Sequence, residues 1–205
     1  MFFVTAVVAD ADEWHHVDLT AAEWKQLCCG LEEIERICAD AGLTQVVHPH
    51  VDTVIEQVAD VEKVLSDTDV SLCLDTAHLA IGGADPLTLA RTAGDRIGLV
   101  HLKDLDDEVA ARLRGKGLSL MESVQGGIFP PLGRGSVPIT EIVTALELTG
   151  RDLWYVLEQD TAITDDDPSA LARPKLDVMD SIEFLKGLDV DSSRLRPSDE
   201  PSQEG

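Results

Sequence analysis

Four short apolar runs in this chain each stop at side chains able to ligate a metal. Gln45-Val46-Val47 runs into His48-Pro49-His50, Val70 to Leu74 into Asp75, Ile97 to Val100 into His101, and Leu153 to Leu157 into Glu158. Runs this short and apolar fit strands buried on both faces, and the segments between them carry helical signals. Strands alternating with helices imply a parallel sheet with right-handed crossovers. Polar residues at the carboxyl ends of such strands converge on one edge of the sheet, where ligands bind. One pattern therefore predicts both an α/β fold and a single pocket.

The remaining segments extend this reading. Phe2 to Val8 is an apolar run suited to a further strand buried on both faces. Thr20 with Glu23 three residues on marks a helix start, and Gly42 stops that helix after about Ala41. Val58, Val61, Val64 and Leu65 give Glu56 to Leu65 a helical period, and Asp85-Pro86 opens another helix reaching about Ala93. Glu108 to Arg114 reads as helical. Gly117 to Gly135, with Gly126-Gly127, Pro130-Pro131 and Gly133-Arg134-Gly135, reads as a long loop over the pocket. Pro138 to Leu148 and Val178 to Leu185 read as helices, the second closing the domain, and the acidic tail 189–205 is expected to be disordered. Five strands do not close a barrel, since an eight-stranded one takes about 250 residues.

Composition narrows the function. With 205 residues, 44% apolar and 27% charged, the chain suits one globular domain. The net charge of -23, from 39 acidic and 16 basic residues, argues against binding nucleic acid or an anionic membrane surface. Cys28, Cys29, Cys38 and Cys73 form no CxxC pair and are expected to stay reduced. No apolar run reaches the roughly 18 residues of a membrane span, and Met1 to Val8 lacks the basic start of a signal peptide, so a cytoplasmic protein is expected. Gly82-Gly83 and Gly133-Arg134-Gly135 match no phosphate loop and read as turns.

Asp75, His101 and Glu158 together suit a hard or borderline divalent cation, Mn2+ or Co2+ foremost, with Mg2+ or Zn2+ as alternatives. His48 and His50 flank Pro49 in an extended chain, so both project to one side. One would complete the metal shell while the other meets substrate, the alternative being a turn with two half-exposed rings. His78, three residues beyond Asp75, and Lys103, two beyond His101, are placed to touch a substrate oxygen; for Lys103 the competing reading is a surface ion pair with Asp104. Glu56 reads as an acid at a helix start or a site residue, and His15 and His16 as exposed residues at the rim.

At His48-Pro49-His50, Leu74-Asp75-Thr76-Ala77-His78, His101-Leu102-Lys103-Asp104 and Glu158-Gln159-Asp160 the sequence resembles the xylose isomerase-like barrel superfamily of sugar-phosphate isomerases and epimerases, with the inosose dehydratase branch closest in pattern. The resemblance implies a (β/α)8 barrel whose last four strands carry these motifs. The chain then corresponds to a TIM-barrel-like parallel sheet over residues 1–188, an incomplete barrel lacking about the first three βα units. It implies metal ligands at Asp75, His101 and Glu158, with the remaining position open between His48, His50 and a water. It implies Glu158 as the base, His50 as a second acid or base, and His78 and Lys103 on a sugar or polyol substrate. The chemistry would be proton removal next to a ketone, followed by loss of water or by return of the proton elsewhere. Ala77 stands where the family has glycine. The missing units also imply open sheet edges, where a second copy of the chain would pair.

Overall fold

The computed structural model describes residues 1–12, 14–163 and 168–188. Five parallel strands lie side by side in chain order: β1 (Phe2–Thr5), β2 (Thr44–Val47), β3 (Ser71–Asp75), β4 (Ile97–Leu102) and β5 (Trp154–Leu157). They form a curled half-barrel, an incomplete TIM barrel of the α/β class. Helices α1 (Ala21–Asp40), α2 (Val58–Asp67), α3 (Thr76–Ile81) and α4 (Pro86–Thr92) fill the first crossovers. Helices α5 (Asp107–Arg114), α6 (Leu120–Gln125) and α7 (Ile139–Glu147) lie between β4 and β5, and α8 (Pro168–Lys186) follows β5.

Local chemistry sets the helix limits where the sequence placed them. Thr20 and Glu23 form a reciprocal capping box at the start of α1, and Gly42 takes φ +70° just past its end. Asp85 caps α4 through Leu87 N–H, with Pro86 in the first turn. The expected long loop is interrupted by α6, which Ser119 and Glu122 start with a capping box of their own. The glycines flanking this segment masked its short helical period. The expected disordered tail, 189–205, lies outside the described residues.

The main core fills the convex side of the sheet, where Val47, Leu72, Leu74, Val100 and Leu102 pack with Leu31, Val61, Val64, Ile142 and Leu146. On the concave side a small cluster of Val46, Cys73 and Leu99 is joined by Phe2. Two strand expectations need correction. β1 is shorter than Phe2 to Val8 and is not buried on both faces, since Phe3 and Val4 are exposed. β5 likewise exposes Trp154 and Val156. Both are edge strands of the described sheet, so each has a neighbour on one side alone, and apolar content by itself does not report that.

Candidate active site

Every candidate ligand is held at the carboxyl edge by the sheet ladder. Asp75 and His101 sit side by side in the β3–β4 register, so both lie within their strands rather than beyond them. His48 N–H donates to Thr5 O at 2.9 Å, carrying the β2 ladder one residue further, and Glu158 N–H does the same to Leu102 O at 3.1 Å. Thr76 ties β3 to β4, since its hydroxyl accepts from Lys103 N–H at 2.9 Å and donates to Lys103 O at 2.6 Å.

Asp75 divides its two oxygens between structure and site. Oδ1 caps α3 by accepting from Ala77 N–H at 3.0 Å and His78 N–H at 2.8 Å. Oδ2 is buried and makes no hydrogen bond among the described residues, lying 3.5 Å from His48 Nε2 and 3.8 Å from both His101 Nδ1 and Lys103 Nζ. His48 Nε2 and His101 Nδ1 are buried and likewise make no hydrogen bond among the described residues. His101 Nδ1 lies 3.0 Å from Glu158 Oε1, although not aligned as a hydrogen bond. One ligand atom from each of Asp75, His101 and Glu158 falls within 4.8 Å of the other two. Buried polar atoms almost always find partners, so several lone pairs aimed at one point fit a cation-binding cradle. Asp75, His101 and Glu158, with His48 beside them, are thus brought together, and their oxygen and imidazole donors fit a divalent cation.

Lys103 is not on the surface and does not pair with Asp104. Its ammonium is buried, 2.8 Å from Glu158 Oε2, 2.9 Å from Asp160 Oδ2 and 3.3 Å from His78 Nε2. Burial works against its charge, but Asp75, Glu158 and Asp160 outweigh that and hold it above the ordinary lysine range. Burial likewise opposes ionisation of Glu158, which His101 and Lys103 overcome, so its carboxyl lies below the usual range. Asp75 is pushed up by burial and pulled much further down by His78, His48 and Lys103. Burial drives His78 itself well below the usual imidazole range, while the Lys103 ammonium stands 3.8 Å from Asp75 Oδ2.

His48 and His50 do face the same way, with ring centroids 5.4 Å apart. His50 stacks on His78 at 3.7 Å and meets the edge of Trp14 at 5.8 Å. A carbonyl only accepts, so the 2.7 Å contact with Val51 O makes Nδ1 the protonated nitrogen of His50 and leaves Nε2 with the lone pair. Burial lowers the His50 pKa, which keeps that lone pair free.

Asp104, Phe129, Gln159 and Asp160 lie in or beside the cluster, and the sequence assigned none of them a site role. Asp104 is buried and accepts from four backbone N–H groups, those of Leu105, Gly133, Gly135 and Val137, at 2.8 to 3.0 Å. Gly133-Arg134-Gly135 is thus the wrapping of a carboxylate, with Gly133 at φ +79°. The ordered loop brings the Phe129 ring 4.9 Å from Lys103 Nζ and 5.9 Å from His78, and Gln159 donates to Phe129 O at 2.8 Å. Three residues stay outside the cluster. His16 pairs with Asp60 at 3.1 Å, His15 is exposed, and Glu56 accepts from Asp52 N–H at 2.9 Å ahead of a helix that Gln57 caps.

The chain matches the family of xylose isomerase-like TIM barrels over residues 3–188. It is 34% identical over 170 residues to an inosose dehydratase of Bacillus thuringiensis, covering 82% of this chain and 55% of that protein. It is 35% identical over 149 residues to an inosose dehydratase of Geobacillus thermodenitrificans, covering 70% of this chain and 50% of that one. The chain therefore spans about half the length of the curated relatives it matches. Among solved structures it resembles the probable 3-DHS dehydratase AsbF of Bacillus anthracis, with TM-score 0.62, 17% identity and coverage of 91% of this chain and 63% of that one. It also resembles the IOLI protein with a bound zinc atom, with TM-score 0.60, 17% identity and coverage of 94% and 63%. The parallel half-barrel, the polar side chains gathered at its carboxyl edge and the match across nearly all described residues lead to one conclusion: this chain belongs to the xylose isomerase-like TIM barrel family.

Proposed function

We propose that residues 1–188 carry the cation-binding end of a sugar or polyol enzyme whose reaction is of the inosose dehydratase type. The observation that carries this reading is the convergence of His48 Nε2, Asp75 Oδ2 and His101 Nδ1, all buried and without a hydrogen bond among the described residues, beside Glu158. His48, Asp75, His101 and Glu158 would hold a divalent cation. This mixture of oxygen and imidazole ligands suits Mn2+ or Co2+ first, then Mg2+ or Zn2+. Asp75, Glu158 and Asp160 around Lys103 leave two negative charges unbalanced, the charge such a cation brings. The zinc named for the IOLI structure and the dehydratase names of the curated relatives support the cofactor and substrate class. A cytoplasmic setting is part of the same proposal.

A bound cation supplies Lewis-acid polarisation of the substrate carbonyl. Glu158 is ionised and partly exposed at the mouth of the site, so it takes the proton from the carbon next to that carbonyl. His50 is the second proton carrier: its free Nε2 takes up a proton from solvent, and the imidazolium so formed gives it to the departing β-hydroxyl, which leaves as water. Lys103 donates to substrate oxygens from a fixed position, His78 orients it, and Phe129 keeps water from that side.

The test is incubation with Mn2+ or Co2+ and 2-keto-myo-inositol, following the dione product by ultraviolet absorbance. Dione formation that stops on chelation is expected. A second reading, a sugar isomerase or epimerase, is favoured by the two proton carriers, since epimerisation needs a donor and an acceptor. Interconversion of a ketose pair without dione would decide for it. A chain that binds Mn2+ in calorimetry yet converts neither substrate would be an inactive fragment or a metal-binding module, a reading favoured by its spanning about half the length of its curated relatives.

A further inference from the structure

Beneath the oxygen-rich ligand set lies a softer one. Cys73 precedes Asp75 by two residues on β3, so it shares the concave face one layer deeper. Its Sγ and one ring nitrogen from each of His48 and His101 lie within 4.8 Å of one another. All three side chains are buried, Cys73 completely. Among the described residues His48 Nε2 and His101 Nδ1 make no hydrogen bond, so these buried imidazoles keep a nitrogen able to ligate an ion in either set. Cys28 and Cys38 are buried on α1 and Cys29 is exposed there, so Cys73 is the cysteine placed at the site.

We propose that Cys73, His48 and His101 form a second cation site, which overlaps the oxygen-rich one and takes thiophilic divalent ions such as Cd2+ and Zn2+. One sulfur and two imidazole nitrogens make a ligand set typical of such ions, with a fourth position left for water. On binding, the cation replaces the thiol proton of Cys73, which passes to solvent, and a metal–thiolate bond forms. Because both sets use His48 and His101, a thiophilic ion in the deeper set displaces Mn2+ from the outer one. This proposal does not rest on the dehydratase reading, because it concerns a set of atoms that reading leaves unused. The competing view is that Cys73 only fills space between Val46 and Leu99.

Titrating the whole chain with Cd2+ tests it, with Mn2+ as the hard comparator. One equivalent of Cd2+ should produce a thiolate-to-metal charge-transfer band in the ultraviolet. The band should vanish in Cys73→Ala and persist when Cys28→Ala, Cys29→Ser and Cys38→Ala are combined. Cys73→Ala should weaken Cd2+ binding about tenfold or more while Mn2+ binding changes less than about twofold, and Cys73→Val should repeat this with the volume refilled. A parent chain without the band would overturn the proposal, as would a band that survives Cys73→Ala. Equal losses of Cd2+ and Mn2+ affinity in both variants would mean that Cys73 acts through packing alone. A band in a chain that fails to bind Mn2+ would support this site and sink the oxygen-rich one.

Discussion

Replacing Asp104 by Asn removes one charge and changes little else in shape, so its effect can be worked out from the contacts. Oδ1 accepts from Leu105 N–H at 2.8 Å and Val137 N–H at 3.0 Å, while Oδ2 accepts from Gly133 N–H at 2.9 Å and Gly135 N–H at 2.8 Å. Asparagine keeps one oxygen and turns an NH2 group toward two N–H donors. Two hydrogen bonds to a charged acceptor are lost, each worth about 1.5–3 kcal/mol, and the amides cannot back away freely. A Cβ on Gly135 would lie 2.3 Å from Asp104 Oδ1, which measures how closely the loop is wrapped. Partial relaxation leaves an expected loss of about 3–5 kcal/mol. Urea unfolding measures the loss, and hydrogen exchange should show the Gly133 and Gly135 amides exchanging faster than in the parent. Since this loop carries Phe129 over Lys103, KM for substrate should rise more than kcat falls. A loss below about 1 kcal/mol with unchanged amide protection would refute the reasoning.

Asp75→Asn keeps an oxygen to cap α3 but loses the charge at Oδ2, so calorimetry should show most Mn2+ affinity gone with the helix intact; His101→Ala should do the same, and undiminished binding in either would mean the cradle is structural. Lys103→Met leaves Glu158 and Asp75 without their ammonium, and should cost about 2–4 kcal/mol at neutral pH without metal, part of it restored by saturating Mn2+ in urea unfolding. Glu158 and Asp75 have folded-state pKa values below the unfolded ones, so the stability they contribute is whole above about pH 5 and is lost as pH falls from about 4 toward the folded values. Acid titrations of unfolding should therefore be flatter in Glu158→Gln. Gly82→Ala would set a Cβ 2.0 Å from Glu56 O, and the forced shift of that backbone should cost about 1–3 kcal/mol by thermal unfolding.

Strand and helix order, the caps at Thr20 and Asp85, and the gathering of His48, Asp75, His101 and Glu158 at the strand ends were all legible in the chain. Each rests on nearest neighbours: an apolar run, a capping side chain, a polar residue where the run stops. The short helices α3 and α6 were not legible, because so few residues make no clear period. Nor was the exposure of Val4, Trp154 and Val156, since an edge strand has the composition of an interior one.

The sequence by itself determined that this would be an α/β chain with polar strand ends, because periodicity and caps are written in adjacent residues. Only the tertiary structure decided what the neighbouring residues Lys103 and Asp104 do. One turns inward to three carboxylates and the other to the amides of a loop about thirty residues further along. Which oxygen of Asp75 caps a helix and which stays free is likewise settled by the placement of β4 beside β3. Burial and charge pairing depend on what the fold brings near, and no local pattern encodes that distance.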